Sequence, residues 1–153
     1  MDKKELYRTI KMQAQALTEG EPNLTANLAN ISAILFDQMT DLNWAGFYLI
    51  QPDLKNESEE LVLGPFQGKA ACIRIPVGRG VCGTAVSTEQ TMLVEDVHQF
   101  DGHIACDAAS NSEIVVPVKV AGKVVAVLDI DSPKIARFDQ EDQAGLEALV
   151  DYI

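Results

Sequence analysis

Apolar positions recur at helical spacing near the N-terminus. Leu6, Ile10, Gln13 and Leu17 share one side of a helix predicted over residues 2–18, with charges opposite. Gly20 and Pro22 break it. Leu24, Leu28, Ile31, Leu35 and Met39 then follow the same period, so a second helix is predicted from about Asn23 to Met39. After Met39 the pattern changes to short runs rich in β-branched and aromatic residues. NWAGFYLI, ELVLGPF, CIRIPV, TMLVEDV, SEIVVPVKV and KVVAVLDIDS read as strands, with QPDLKNESE as a polar loop. Ala121-Gly122 between the last two predicts a hairpin. FDQEDQAGLEALVDYI is a C-terminal helix, with Asp139 as its N-cap and Asp142 three residues on.

Helix, helix, a run of strands, helix: that order predicts an α+β fold with an antiparallel sheet. No repeat, linker or low-complexity tract interrupts it, so residues 1–153 are expected to form one domain. Hydrophobic residues make up 47% and charged residues 23%, a soluble globular composition. Twenty-three acids against 12 Lys and Arg leave a net charge of −11. Nucleic acid and anionic membrane surfaces demand a basic face, so neither is an expected partner. No apolar run approaches the ~18 residues of a membrane span, and MDKKELYRTI lacks the apolar stretch of a secretory signal. The expected location is the cytoplasm.

GRGVCG, Gly78 to Gly83, fits the G-x-G-x-x-G pattern of a dinucleotide-binding turn, and the acidic Glu95 and Asp96 follow. Its context argues against that use. Two helices and three strands precede it, and the following segment is barely long enough for a parallel crossover. The glycines predict a tight turn into a short helix, whose first N–H groups can still bind an anion.

Cys72, Cys82 and Cys106 are the three cysteines, an odd number that does not make a disulfide framework. Taken alone, each is most simply a small buried hydrophobe. The surrounding residues change this. GRGVCGTAV, then EDVHQFDGHIACDAASNSEIVVPV, then VLDIDS resembles the GAF domain. More narrowly, the three cysteines, the DGHIACDAASNSEIV block and both acids of LDID resemble the free methionine-(R)-sulfoxide reductases.

The resemblance implies a GAF sheet of about six antiparallel strands with the N- and C-terminal helices together on one face. It implies reduction of the R epimer of free methionine sulfoxide, with thioredoxin as the usual reductant and no cofactor. GAF domains often pair through their helices, so a homodimer is expected. By the same resemblance Cys106 is the nucleophile, and both Cys72 and Cys82 are candidates for disulfide exchange with it. Cys72 is preferred as the direct resolver and Cys82 as an auxiliary or substrate-side residue. Sequence does not separate the two; geometry does, because the Cα atoms of a pair must come within about 7 Å.

The residues themselves carry the rest. Sulfoxide reduction needs an attacking thiolate, an acid for the departing oxygen and a second thiol to resolve the sulfenic acid. A free thiol titrates near 8.5, so Cys106 needs help to ionise. His103 stands three residues before it, either as that help or as a hydrogen-bonded loop residue. Asp129 and Asp131 lie two apart on one strand and so share a face. Two such carboxylates repel, and one holds a proton unless a cation arrives. The ammonium of a free amino acid is such a cation, and a peptide lacks it. Glu113 or Asp131 is expected to protonate the oxygen, with Asp129 binding substrate. Trp44 and Tyr48, four apart, are expected to wall the pocket around the substrate methyl. Backbone N–H groups of the glycine turn and the NSEI segment are expected to meet the substrate carboxylate.

Two other readings compete with this one. A GAF domain can act as a non-catalytic small-molecule sensor, but such modules are normally fused to an output domain and do not need this cysteine and acid set. Cys72, Cys82, His103 and Cys106 offer a zinc ligand set, but their C-x9-C-x20-H-x2-C spacing lacks a C-x2-C knuckle. No metal is expected.

Overall fold

The computed structural model describes residues 1–53, 55, 58–104, 106 and 108–153. The chain runs α1 (Lys3–Thr18), α2 (Leu24–Gln38), β1 (Trp44–Asp53), β2 (Ser58–Gly68) and β3 (Arg74–Pro76). It continues with α3 (Gly80–Thr88), β4 (Met92–Val94), β5 (Ser112–Val120), β6 (Lys123–Ser132) and α4 (Gln140–Tyr152). The strands form one sheet in the order β3-β2-β1-β6-β5-β4, with every pair antiparallel. The fold is α+β, with no parallel βαβ unit among the described residues.

Strand alternation gives the sheet two unlike faces. Ala45, Phe47, Ile114, Val116, Leu128 and Ile130 point to one side and pack with α1, α2 and α4. Trp44, Tyr48, Val115 and Val127 point to the other, where they meet Leu61, Ile75 and the α3 residues Val81, Cys82 and Ala85. The polar residues of the site belong to this second face.

The terminal helices are tied together by a buried acid. Asp142 is 1% exposed. It accepts from the Tyr7 hydroxyl at 2.6 Å, from Lys3 Nζ at 2.7 Å and from the Asp139 backbone N–H at 2.9 Å. Asp139 caps the helix in return, completing the capping box at the α4 start.

This tie also rotates α1 from its expected face. Tyr7, Ile10, Ala14 and Thr18 are the buried positions, whereas Leu17 is 56% exposed. Gln13, expected inward, is held at the α1–α2 boundary by a bond from Gln38. Leu24, in the first turn of α2, is exposed while Leu28, Ile31 and Leu35 are buried.

Three strand predictions need revision. The QPDLKNESE loop is shorter than expected, because β1 extends to Asp53 and β2 starts at Ser58; Leu54, Asn56 and Glu57 lie outside the described residues. Beyond Leu49, β1 has lost its β6 partner and pairs with β2 alone, so a polar, Pro-containing arm is tolerated there. CIRIPV is strand only at Arg74–Pro76, the three residues that pair with β2, while Cys72 is bonded to Cys106. TMLVEDV is strand only at Met92–Val94, because Asp96 caps a 3₁₀ turn at Val97–Gln99 instead. Ala121 and Gly122 turn the β5–β6 hairpin with φ of 53° and 79°.

Candidate functional site

The GRGVCG turn delivers α3 to the sheet. Gly80 has φ of 65° and Ile104 packs against the place of its missing Cβ. A Cβ on Gly83 would sit 2.5 Å from the Pro76 carbonyl oxygen. The glycines therefore serve a tight turn and close packing, and the helix they start leads into an antiparallel sheet rather than a dinucleotide crossover.

Between α3, the second sheet face and the described residues of the 103–110 segment lies a small cavity of about 40 Å³. Ala105 and Asp107 of that segment lie outside the described residues. Trp44 and Tyr48 line the cavity from β1, Glu113 from β5, and Asp129 and Asp131 from β6. Cys82, from the first turn of α3, and Cys106 complete the set, with His103 and Ile104 nearby.

Pairing across three strands explains why these side chains converge. Trp44 lies opposite Asp131, and Asp131 lies opposite Glu113. Gly46 lies opposite Asp129. A Cβ on Gly46 would fall 2.3 Å from the Cβ of Phe66, so glycine lets the Phe66 ring approach β1. Phe66 stacks on Trp44 at 5.1 Å between ring centroids, and Tyr48 stacks on its neighbour Trp44 at 5.8 Å.

The polar tips of both cavity aromatics hold the segment before β3. Trp44 Nε1 donates to the Lys69 carbonyl at 3.1 Å, and the Tyr48 hydroxyl donates to the Cys72 carbonyl at 2.8 Å. Cys72 is joined to Cys106, with their Cα atoms 5.4 Å apart. Cys82 is free and buried. The bond between Cys72 and Cys106 removes two of the four ligands from the Cys72, Cys82, His103 and Cys106 zinc set.

The acids form an electrostatic cluster, with no lysine or arginine among the described residues of the cavity wall. Burial, and then the charges of Asp129 and Asp131, pushes the Glu113 carboxyl well above the ordinary range. Burial and the Asp129 charge raise Asp131 in the same way, while hydrogen bonding with Glu113 and then a hydrogen bond from Ser110 at 2.9 Å partly oppose the rise. Asn43 Nδ2 supports Ser110 at 3.0 Å. Oδ1 of Asp129 and Oδ1 of Asp131 are buried without a hydrogen-bond partner among the described residues. Burial, then the charges of Asp129 and Glu113, raises the Cys82 thiol well above its ordinary value, so it stays protonated at neutral pH. Burial, then the charge of Asp129, raises Tyr48, which remains a neutral donor. His103 is lowered by burial and then by His98, which favours the neutral imidazole at pH 7. The arrangement suits a cationic ligand group between the acids and a proton delivered from a neutral carboxyl.

The comparisons with known proteins agree on one family. A family model for the GAF domain matches residues 14–153. The free methionine-R-sulfoxide reductase of Escherichia coli (strain K12) is 57% identical over 98% of this chain and 87% of its own. The chain belongs to the free methionine-R-sulfoxide reductase family of GAF domains. The family's enzyme from Neisseria meningitidis, solved in complex with its substrate, aligns with a TM-score of 0.91 at 44% identity. That alignment covers 99% of this chain and 87% of the other. The fRMsr of Staphylococcus aureus, also in complex with substrate, aligns at 0.87 with 52% identity, over 95% of this chain and 91% of that one.

Within this reductase fold, the sequence expectations lacked Ile104 and Ser110, which line the cavity, and Asn43 and Phe66, which support its walls. Gly46 inside the NWAGFY strand was the available signal for Phe66, since a glycine within a strand marks close approach by another group. Ser110 and Ile104 carry no signal beyond belonging to the DGHIACDAASNSEIV block.

Proposed function

We propose that this protein reduces free L-methionine (R)-sulfoxide to methionine with its own cysteines. The observation that carries the reading is one cavity lined by Cys106, Glu113, Asp129 and Asp131, in a chain of this reductase family. The ammonium of the amino acid sits among the acids, where it relieves the mutual repulsion that burial enforces. Its carboxylate meets the N–H groups at the start of α3, an end that no side chain caps. Its methyl group lies against Trp44 and Tyr48.

The Cys106 thiolate attacks the sulfoxide sulfur while Glu113 gives its proton to the oxygen. Glu113 is preferred over Asp131 because Ser110 donates to Asp131 and so favours its charged form. Methionine leaves and Cys106 holds the oxygen as sulfenic acid. The Cys72 thiol displaces that oxygen as water, giving the Cys72–Cys106 disulfide. A dithiol such as thioredoxin then exchanges with the disulfide and restores both thiols. In sum, one sulfoxide and one external dithiol become methionine, water and an external disulfide.

A cytoplasmic homodimer formed through the helices belongs to the same reading. Met12 and Leu17 on α1 are 63% and 56% exposed, which supplies apolar surface for the pairing. Among the described residues no helix is long and apolar enough to cross a membrane.

Stereospecific turnover tests the function. Purified protein with a dithiol should consume the R epimer, leave the S epimer and ignore N-acetylmethionine sulfoxide. Equal turnover of the acetylated substrate, or none of the free one, overturns it.

A further inference from the structure

Cys82 has no part in the exchange just described. With Cys72 and Cys106 joined, it is the one free thiol of the three cysteines. Its Sγ, a Glu113 carboxylate oxygen and an Asp129 carboxylate oxygen lie within 4.8 Å of one another, and all three residues are buried. Bond lengths of about 2.0–2.3 Å place the ligand atoms of a tetrahedral zinc about 3.3–3.7 Å apart. A movement of roughly an ångström, within side-chain rotation, brings the three donors onto one ion. A second observation points the same way. Oδ1 of Asp129 and Oδ1 of Asp131 are buried, lie on the same cavity wall and have no hydrogen-bond partner among the described residues.

The donor chemistry narrows the ion. Magnesium and calcium take oxygen ligands and avoid sulfur. Thiolate with carboxylate suits a divalent ion of intermediate softness, with zinc as the type case. Three protein ligands leave a fourth position, which here opens on the cavity.

We propose that Cys82, Glu113 and Asp129 form a binding site for a zinc-class divalent cation, which excludes free methionine sulfoxide from the cavity. The ion takes the place of the substrate ammonium as the cation of the acid cluster. The Cys82 thiol binds as thiolate and releases its proton to solvent. Bound metal therefore inhibits the enzyme reversibly, and a chelator or excess substrate restores it. The site itself is independent of the reductase reading; only its competition with substrate rests on that reading.

Cobalt(II), a spectroscopic substitute for zinc, tests the site in the oxidised protein, where the disulfide leaves Cys82 as the sole thiol. The expected result is one equivalent bound, with a thiolate-to-cobalt charge-transfer band that added zinc abolishes. Cys82→Ser should lose the band. Cys82→Ser and Asp129→Asn should each weaken zinc binding more than about 100-fold, the upper end of what loss of an outer partner costs. Methionine sulfoxide should raise the apparent cobalt Kd in proportion to its concentration. Absence of the band in the wild-type protein, which needs no variant to fold, overturns the proposal. So does wild-type zinc affinity in both variants. Turnover without cobalt binding removes the metal site alone, and cobalt binding without turnover removes the reductase reading alone.

Discussion

The Tyr48 hydroxyl donates to the backbone carbonyl of Cys72 at 2.8 Å, so a residue facing the cavity also fixes one end of the Cys72–Cys106 pair. Burial keeps that hydroxyl neutral and able to donate. Tyr48→Phe removes the bond and leaves the ring stacked on Trp44. The expected loss of stability is about 1 kcal/mol. The larger effect is expected in resolution: Cys106 sulfenic acid should persist long enough to be captured by a sulfenic-acid trap, and the disulfide should form more slowly. Mass spectrometry after a single turnover reads both. Disulfide formation at the wild-type rate would show that Tyr48 does not position Cys72.

Glu113 is held against its own electrostatic preference, directly opposite Asp131 and beside Asp129. Its folded-state pKa is raised, so the unfolded state binds fewer protons between the two values and stability falls as pH rises through that window. Below about pH 4 the acid is protonated in both states and the penalty vanishes. Glu113→Gln should therefore match the wild type in stability at low pH. Its advantage should grow with pH to about 1 kcal/mol near neutrality. Turnover should fall at least about 100-fold, the usual cost of losing a general acid. Urea midpoints across a pH series check the first half, and steady-state rates check the second. A constant offset at every pH would mean that the charge on Glu113 is not what strains the fold.

The two kinds of information in the sequence explain how much of this was legible. Strand alternation is local, so Asp129 and Asp131 could be assigned to one face, as could Trp44 and Tyr48. The period of α2 likewise placed Leu28, Ile31 and Leu35. The α1 face was misread because its rotation is set from the far end of the chain, by Asp142 drawing Tyr7 inward. Ser110 and Asn43 were missed for a similar reason. Their role is a hydrogen-bond chain to Asp131 between separate segments, and no local pattern encodes it. The glycine motif was legible as a turn bringing a short helix to the edge of a pocket, but Ile104 folding over Gly80 was not, because that contact joins separate segments.

Cys82 is expected to be chemically silent in the folded, metal-free protein. It is 4% exposed and its thiol is raised by burial and two nearby acids, and both factors suppress the thiolate that reacts. In oxidised protein an alkylating reagent should leave all three cysteines unmodified, and unfolding without reductant should then label one. In reduced protein Cys106 and Cys72 should react first. Peptide mass mapping distinguishes the positions. Rapid labelling of Cys82 in the folded oxidised protein would contradict the burial that this prediction rests on.

Ser110 offers a test of where the proton resides. Its hydroxyl donates to Asp131 at 2.9 Å and so favours the charged form of that acid. Ser110→Ala removes the donor, Asp131 then competes more strongly for the proton, and the coupled acids hold protons to higher pH. The alkaline limb of kcat/KM should move upward. The rate at neutral pH should drop, because the proton spends less time on Glu113. Ser110→Thr keeps a hydroxyl and should restore the wild-type profile. A lower rate with an unmoved alkaline limb would mean that Ser110 acts only in packing, and would shift the acid role away from the Glu113–Asp131 pair.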